Sequence, residues 1–353
     1  MKKIYCLFPL LILFCISCEE QIQLPSDGTD MVMIVNGSLC SADTVHVLSL
    51  SASSVKEGMV VPPDAVVRMF VNGMQCCESS EFREKMYYEG LIHEYTLEGS
   101  FAPGDKVRIV VESSIGTCEI VQTAPPAPSV VGVSEGDEEL LSYYEYGNME
   151  RRTFEKMYLT VKDPEGKGDA YRVKARVRSD LVLERSVSRG GSVYPPSSTE
   201  QIEIFNLLEP VLRLPFSPLE AVNDFNIFCD DTFDGSQYTL TLCLNWKNHF
   251  ARPTISGYTN DEGVNVSEIW VRHNELTLTV ESLPQASYRY YIAVEYDTNN
   301  NTIPMAYEPS VFPSNVRGGL GYVNVSSGIE LSLPLRDIWY DWDHIGGTGQ
   351  PLL

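Results

Sequence analysis

The sequence predicts an all-β protein made of two β-sandwich domains, Ig-like or related, with at most one or two short helices. Three observations carry this. Short runs of β-branched and aromatic residues recur along the chain. Glycine, proline, asparagine and aspartate interrupt them at roughly the ten-residue spacing of a sandwich. A proline-rich break, Thr123-Ala124-Pro125-Pro126-Ala127-Pro128, then divides the chain, because proline has no N–H to give a ladder. The expected division is 1–17 as a signal peptide, 18–30 as a tether, 31–124 as an N-terminal sandwich and 129–353 as a C-terminal β-rich domain.

In the first half, strands are expected at Met31–Asn36, Val45–Ser49, Ala65–Asn72, Glu94–Leu97 and Val107–Glu112. Gly37, Gly73, Gly90, Pro103-Gly104 and Gly116 supply the breaks. In the second half, alternation is clearer. Tyr171, Val173, Ala175 and Val177 point one way, while Arg172, Lys174, Arg176 and Arg178 point the other. Leu240, Leu242, Leu244 and Trp246 form one inward row, and Leu276, Leu278 and Val280 another. The same reasoning assigns Tyr288, Tyr290, Ile292, Val294 and Tyr296 to a further inward strand face. One helix is expected from a Ser217 cap through Pro218 to about Phe225. Tyr143, Tyr144 and Tyr146 fall in a polar stretch that reads as poor in strand.

The N-terminus reads as an export signal. Met1-Lys2-Lys3 is basic, and Ile4 to Ile16 is apolar but shorter than the ~20 residues of a membrane-spanning helix. Leu13-Phe14-Cys15-Ile16-Ser17-Cys18 then resembles the lipobox of bacterial lipoproteins, with Cys18 the acyl acceptor and Cys15 standing where leucine is usual. Stable anchoring needs two or three acyl chains, and a lipoprotein carries that many, palmitate among them. The formal charge is −22, or −24 without Lys2 and Lys3. So acidic a body repels phosphate backbones, which excludes nucleic acid as a partner.

Four segments carry a family pattern. They are Ile34-Val35-Asn36-Gly37; Tyr158 to Gly166 followed by Tyr171-Arg172-Val173; Asp230-Asp231-Thr232-Phe233-Asp234-Gly235; and Glu308-Pro309-Ser310 leading through Ser314-Asn315-Val316 to Gly318-Gly319-Leu320-Gly321. In this order, after a lipidated cysteine, they resemble a family of Bacteroidetes outer-membrane lipoproteins catalogued as domain-of-unknown-function family 4249. The stretch from Ser332 to Leu353 lies outside the resemblance. The resemblance implies an outer-membrane location and the company of a TonB-dependent transporter, and it lends no catalytic residues. Glu19-Glu20 after the lipid site resembles the acidic signal for display on the cell surface; the periplasmic face is the alternative.

Candidate chemistry is sparse. His46, His93, His249, His273 and His344 show no metal-ligand spacing, and neither a GxSxG elbow nor a dinucleotide glycine pattern occurs. Calcium is the inorganic candidate. Asp230, Asp231 and Asp234 gather oxygen ligands in one turn, although Thr241 stands where an EF-hand places its bidentate glutamate. Asp163, Glu165 and Asp169 invite the same reading. The basic row of Arg172, Lys174, Arg176 and Arg178 could take an anionic ligand or acidic partner, or could be a solvated strand face. Trp339, Tyr340 and Trp342 could be a stacking platform or packing. Cys40, Cys76, Cys77, Cys118, Cys229 and Cys243 leave disulfides and free thiols equally open.

The functional expectation is a cell-envelope lipoprotein that is a non-catalytic accessory or ligand-binding partner of an outer-membrane TonB-dependent transporter. The alternatives are an adhesive or structural surface protein, expected to show a long exposed edge strand, and a hydrolase with a dispersed site, expected to show a pocket with a histidine–carboxylate pair near His249 or His273.

Overall fold

The computed structural model describes residues 31–54, 58–62, 64–87, 90–145, 148–185, 197–205, 208–213, 223–246, 257–259, 265–267, 269–300 and 312–340. The expected signal segment and tether, with Cys18, lie outside these residues. So do Ser217 and Pro218 of the expected helix, whose last three positions, 223–225, are not helical.

The first half contains β1 (Val32–Cys40), β2 (Val45–Ser54), β3 (Gly58–Val60), β4 (Val66–Val71), β5 (Met74–Ser79), β6 (Phe82–Tyr87), β7 (Gly90–Glu98), β8 (Lys106–Ser113) and β9 (Gly116–Thr123). After the prolines come β10 (Ser129–Glu145), β11 (Asn148–Lys162), β12 (Ala170–Arg185), β13 (Ser197–Ile202), β14 (Ile204–Phe205), β15 (Ile227–Cys229) and β16 (Gln237–Leu244). The small hairpin β17 (Gly257–Thr259) and β18 (Asn265–Ser267) precedes β19 (Ile269–Leu283), the helix α1 (Gln285–Asn300) and β20 (Val323–Tyr340). The protein is all-β with sandwich packing, as the periodicity predicts.

The two sandwiches share a sheet. One sheet of ten strands runs β13-β12-β19-β20-β1-β2-β7-β6, with β15 attached to β12 and β3 to β2. The four-stranded sheet β5-β4-β8-β9 covers one end of it and β10-β11-β16-β14 the other. Two hydrophobic cores result. One holds Leu48, Leu50, Met69, Tyr95, Leu97 and Ile109, the other Leu159, Val173, Leu242, Trp246, Leu278 and Val280. Burying each such side chain contributes about 1.5–3 kcal/mol. The proline-rich break falls between β9 and β10, but β20 serves both cores. Val323 and Val325 pack into the first, and Leu335, Ile338 and Tyr340 into the second. The parallel pairing of β1 with β20 makes the sheet continuous.

The alternating rows of β12, β16 and β19 point into the second core as predicted. Two expectations are overturned. Tyr288 to Tyr296 is not a strand but lies in α1, where Ser287, Tyr291 and Glu295 are the buried positions. Their spacing of four is one helix face. The face is hard to read because two of its three residues are polar, whereas Tyr296, counted as inward, is 51% exposed. The stretch around Tyr143 and Tyr144 is not strand-poor either. It belongs to β10, a strand of 17 residues. Glu135, Asp137, Glu138 and Glu139 mask its alternation, and β10 tolerates them as the outermost strand of its sheet. Tyr146 and the side chains of Tyr143 and Tyr144 lie outside the described residues.

Glu295 joins α1 to the turn before β15 by accepting the Phe225 N–H at 2.9 Å. Burial, with Asp224 nearby, pushes its carboxyl up to about 7. A carboxyl raised in the fold binds its proton more tightly than in the unfolded chain. It therefore weakens the fold above pH 7, and that penalty fades as pH falls toward 4.5. Glu295→Gln should remove this dependence. Urea midpoints at pH 7 and pH 5 should show the wild type gaining on the order of 2 kcal/mol relative to the variant on acidification.

Candidate functional site

The two acidic loops, more than sixty residues apart in sequence, dock against each other. One joins β11 to β12 and the other joins β15 to β16. Oxygens of Asp163, Asp169 and Asp230 converge to within 4.8 Å of one another, with Asp163 and Asp230 buried. Asp163 accepts the Tyr171 hydroxyl at 2.5 Å and the Gly235 N–H at 2.9 Å. Asp230 accepts the Gly168 N–H at 3.0 Å, and Asp234 accepts the Gly166 N–H at 2.9 Å. The backbone closes the joint further, with Asp163 N–H donating to Ser236 O and Asp230 N–H to Asp169 O. Gly168 (φ +104) must be glycine for its N–H to reach Asp230 in this conformation.

The residues expected to bind calcium are thus divided. Asp230 is in the cluster. Asp231 and Asp234 are exposed, Asp231 accepting from the Cys229 thiol at 3.2 Å. Asp163 and Asp169, from the second predicted loop, complete the group, and Glu165 remains exposed on the rim. Asp231 and Asp234 are turned to solvent, so the cluster takes its other two acids from the second loop. Burial and the three neighbouring aspartates, Asp163, Asp230 and Asp234, push the Asp169 carboxyl up. Backbone N–H donors hold the two buried acids; a hard cation taking oxygen ligands from Asp163, Asp169 and Asp230 is the chemistry that would relieve the remaining repulsion.

The basic row does not present free cations. Arg172 is buried beneath α1, where its guanidinium meets Glu281 at 2.5 Å, the Tyr291 hydroxyl at 3.0 Å and the Ser38 hydroxyl at 2.8 Å. Lys174 pairs with the same glutamate at 2.6 Å. Arg176 pairs with Glu330, and Arg178 with Asp180 at 3.2 Å. Ser326 on β20 donates to Glu281 at 2.7 Å. Burial pushes the Glu281 carboxyl up, but the cations of Arg172 and Lys174 outweigh it and hold it at about 2. Of this row, Arg172 and Lys174 close an internal ion cluster on Glu281, while the Arg176 and Arg178 pairs lie on the solvated face of the strand. Arg172 and Glu281 stand on facing positions of β12 and β19, so each finds its partner before any ligand can.

The remaining candidates are separated. Strand alternation sends Trp339 outward, 47% exposed, and Tyr340 into the second core, where its hydroxyl accepts from Arg272 at 3.3 Å. They form no common platform, and Trp342 lies outside the described residues. His46 and His93 are buried, which pushes both imidazoles down. His273 meets Asp337 at 2.9 Å, but this pair is exposed on the sheet surface rather than held in a pocket. His249 and His344 lie outside the described residues. All six cysteines from Cys40 to Cys243 are free thiols, and Cys229 and Cys243 sit in different sheets.

A family model described as Domain of unknown function (DUF4249) matches residues 19–330. The chain belongs to this family. No curated protein matches it. The four segments that carry the DUF4249 pattern meet in pairs. Val35, Asn36 and Gly37 bond to Leu320 and Tyr322, and the loop from Asp163 to Asp169 bonds to the loop from Asp230 to Gly235. Glu308-Pro309-Ser310 lies outside the described residues. Sequence reasoning missed Glu281, Tyr291 and Ser326, which complete the buried ion cluster. Glu281 was legible only as the outward member of an alternating strand.

Glu281→Gln should leave Arg172 uncompensated and cost about 3–5 kcal/mol in urea unfolding. Because the folded carboxyl titrates at about 2, below its unfolded value, its contribution is present above about pH 4.5 and is lost as pH falls toward 2. Asp169→Asn should raise Tm in chelator. About 1 mM calcium should raise Tm of the wild type but not of this variant; equal behaviour of the two would assign the joint to hydrogen bonding alone.

Proposed function

We propose that this protein is a cell-envelope lipoprotein, held by acylated Cys18 to the outer membrane and displayed at the cell surface. In this reading it works by binding, as an accessory or ligand-binding partner of a TonB-dependent transporter, and carries out no reaction of its own. The observation that carries the proposal is the lipobox-like run ending at Cys18. The DUF4249 match begins at residue 19, immediately after it. Further support comes from the pairing of the basic row with acids of the same body, which leaves the net negative charge of the body for recognition. Calcium at Asp163, Asp169 and Asp230 would be structural in this reading, pinning the two loops.

A second reading, adhesion, draws on β10, which at 17 residues is a long edge strand with Val131 and Leu140 exposed. Its register breaks at Val130/Gly132 and Glu135/Glu138, and it carries the acidic run Glu135, Asp137, Glu138 and Glu139. Such features blunt edge-to-edge pairing, so the first reading is preferred.

Growth with an alkyne fatty acid should label the wild type and leave Cys18→Ala unlabelled and in the soluble fraction. Crosslinking in intact outer membranes should then recover the labelled protein with a transporter of the TonB-dependent class. An unlabelled wild type, or a labelled protein recovered only as a monomer, would overturn the proposal.

A further inference from the structure

We propose that residues Ser314–Ser327 act as a strap, donated from the far end of the chain, without which the N-terminal sandwich cannot close. The segment runs between the two sheets of that sandwich and bonds to both. On the β1 side, Val35 N–H donates to Leu320 O at 2.9 Å, Leu320 N–H to Met33 O at 2.8 Å and Gly37 N–H to Tyr322 O at 3.1 Å. On the β9 side, Arg317 and Glu119 exchange both backbone bonds, at 2.8 and 2.9 Å. Side chains from the body complete the hold. Asn36 accepts the Tyr322 N–H at 2.9 Å, Gln122 accepts the Val325 N–H at 2.9 Å, and Ser327 donates to Pro125 O at 2.5 Å.

The strap is also part of the core. Val316, Val323 and Val325 are buried among the residues of the first cluster. The fit is close enough to require the glycines. A Cβ on Gly321 (φ +101) would lie 2.2 Å from Val35 O, and one on Gly319 would lie 2.7 Å from Met33 O and 2.5 Å from Cys118 Sγ. These glycines thus serve close backbone approach to β1 and β9.

Withdrawing the strap would unpair the N–H groups of Val35, Gly37 and Glu119 at once and open the core where three valines left it. No stable half-open state is available on those terms, because buried groups left unpaired cost far more than exposed ones. Tyr322 and Asn36 are 286 positions apart, so this closure is also a strongly non-local step in the fold. A chain still lacking residues 314–327 cannot finish its first sandwich, although every other strand of that sandwich lies before residue 124.

Native-state hydrogen exchange on the full chain, in low denaturant, tests this. The amides of Leu320 and Tyr322 should open together with those of β1, β8 and β9, and with β4, whose ladder partners are β5 and β8. Asn36→Ala removes one hydrogen bond without a clash and should speed exchange of all these amides about tenfold. Gly321→Val should do so more strongly. If β4 and β8 keep their protection while Leu320 and Tyr322 exchange, in the wild type or in Asn36→Ala, the strap is a surface attachment and the proposal fails.

Discussion

One strand has to satisfy two cores. β20 lies parallel to β1 at its start and antiparallel to β19 over most of its length, so the first sandwich and the second are built on a common sheet. A shared strand cannot shift its register for one core without moving apolar side chains out of the other, because a one-residue slip reverses every face. The rest of the architecture follows from holding β20 in place.

Two kinds of joint do this. Near the point where β1, β12, β19 and β20 meet, Arg172 and Glu281 form a buried ion pair whose other partners, Ser38, Ser326 and Tyr291, come from three further elements. Buried charge is costly to place and worse to leave alone, so the cluster specifies one arrangement of the four strands and α1. At the same end of β12, just before Ala170, the acidic loops lock β11, β12, β15 and β16 together through backbone donors. The DUF4249 segments map onto one of these joints and onto the strap.

Much of this was legible in the sequence. The alternating rows of β12, β16 and β19 state their own inward faces, because each has one dry side. The acidic loops announce themselves by composition, but their meeting does not, since it depends on β11, β12, β15 and β16 ending at one place. α1 was misread because Tyr288, Tyr290 and Ile292 imitate strand alternation, while the true buried face runs through Ser287 and Glu295. β10 was missed because an edge strand can carry Glu135 to Glu139 without burying charge. The strap lay beyond sequence reasoning altogether. Gly318-Gly319-Leu320-Gly321 shows a need for close backbone approach but not that β1, nearly the whole chain away, is what it approaches.

Calorimetry of the protein tests the shared-strand account most directly. One endotherm, with calorimetric and van't Hoff enthalpies equal, is the result expected if β20 couples both cores. Two resolved transitions, with the N-terminal one surviving after the other has melted, would show that the sandwiches are independent and contradict it.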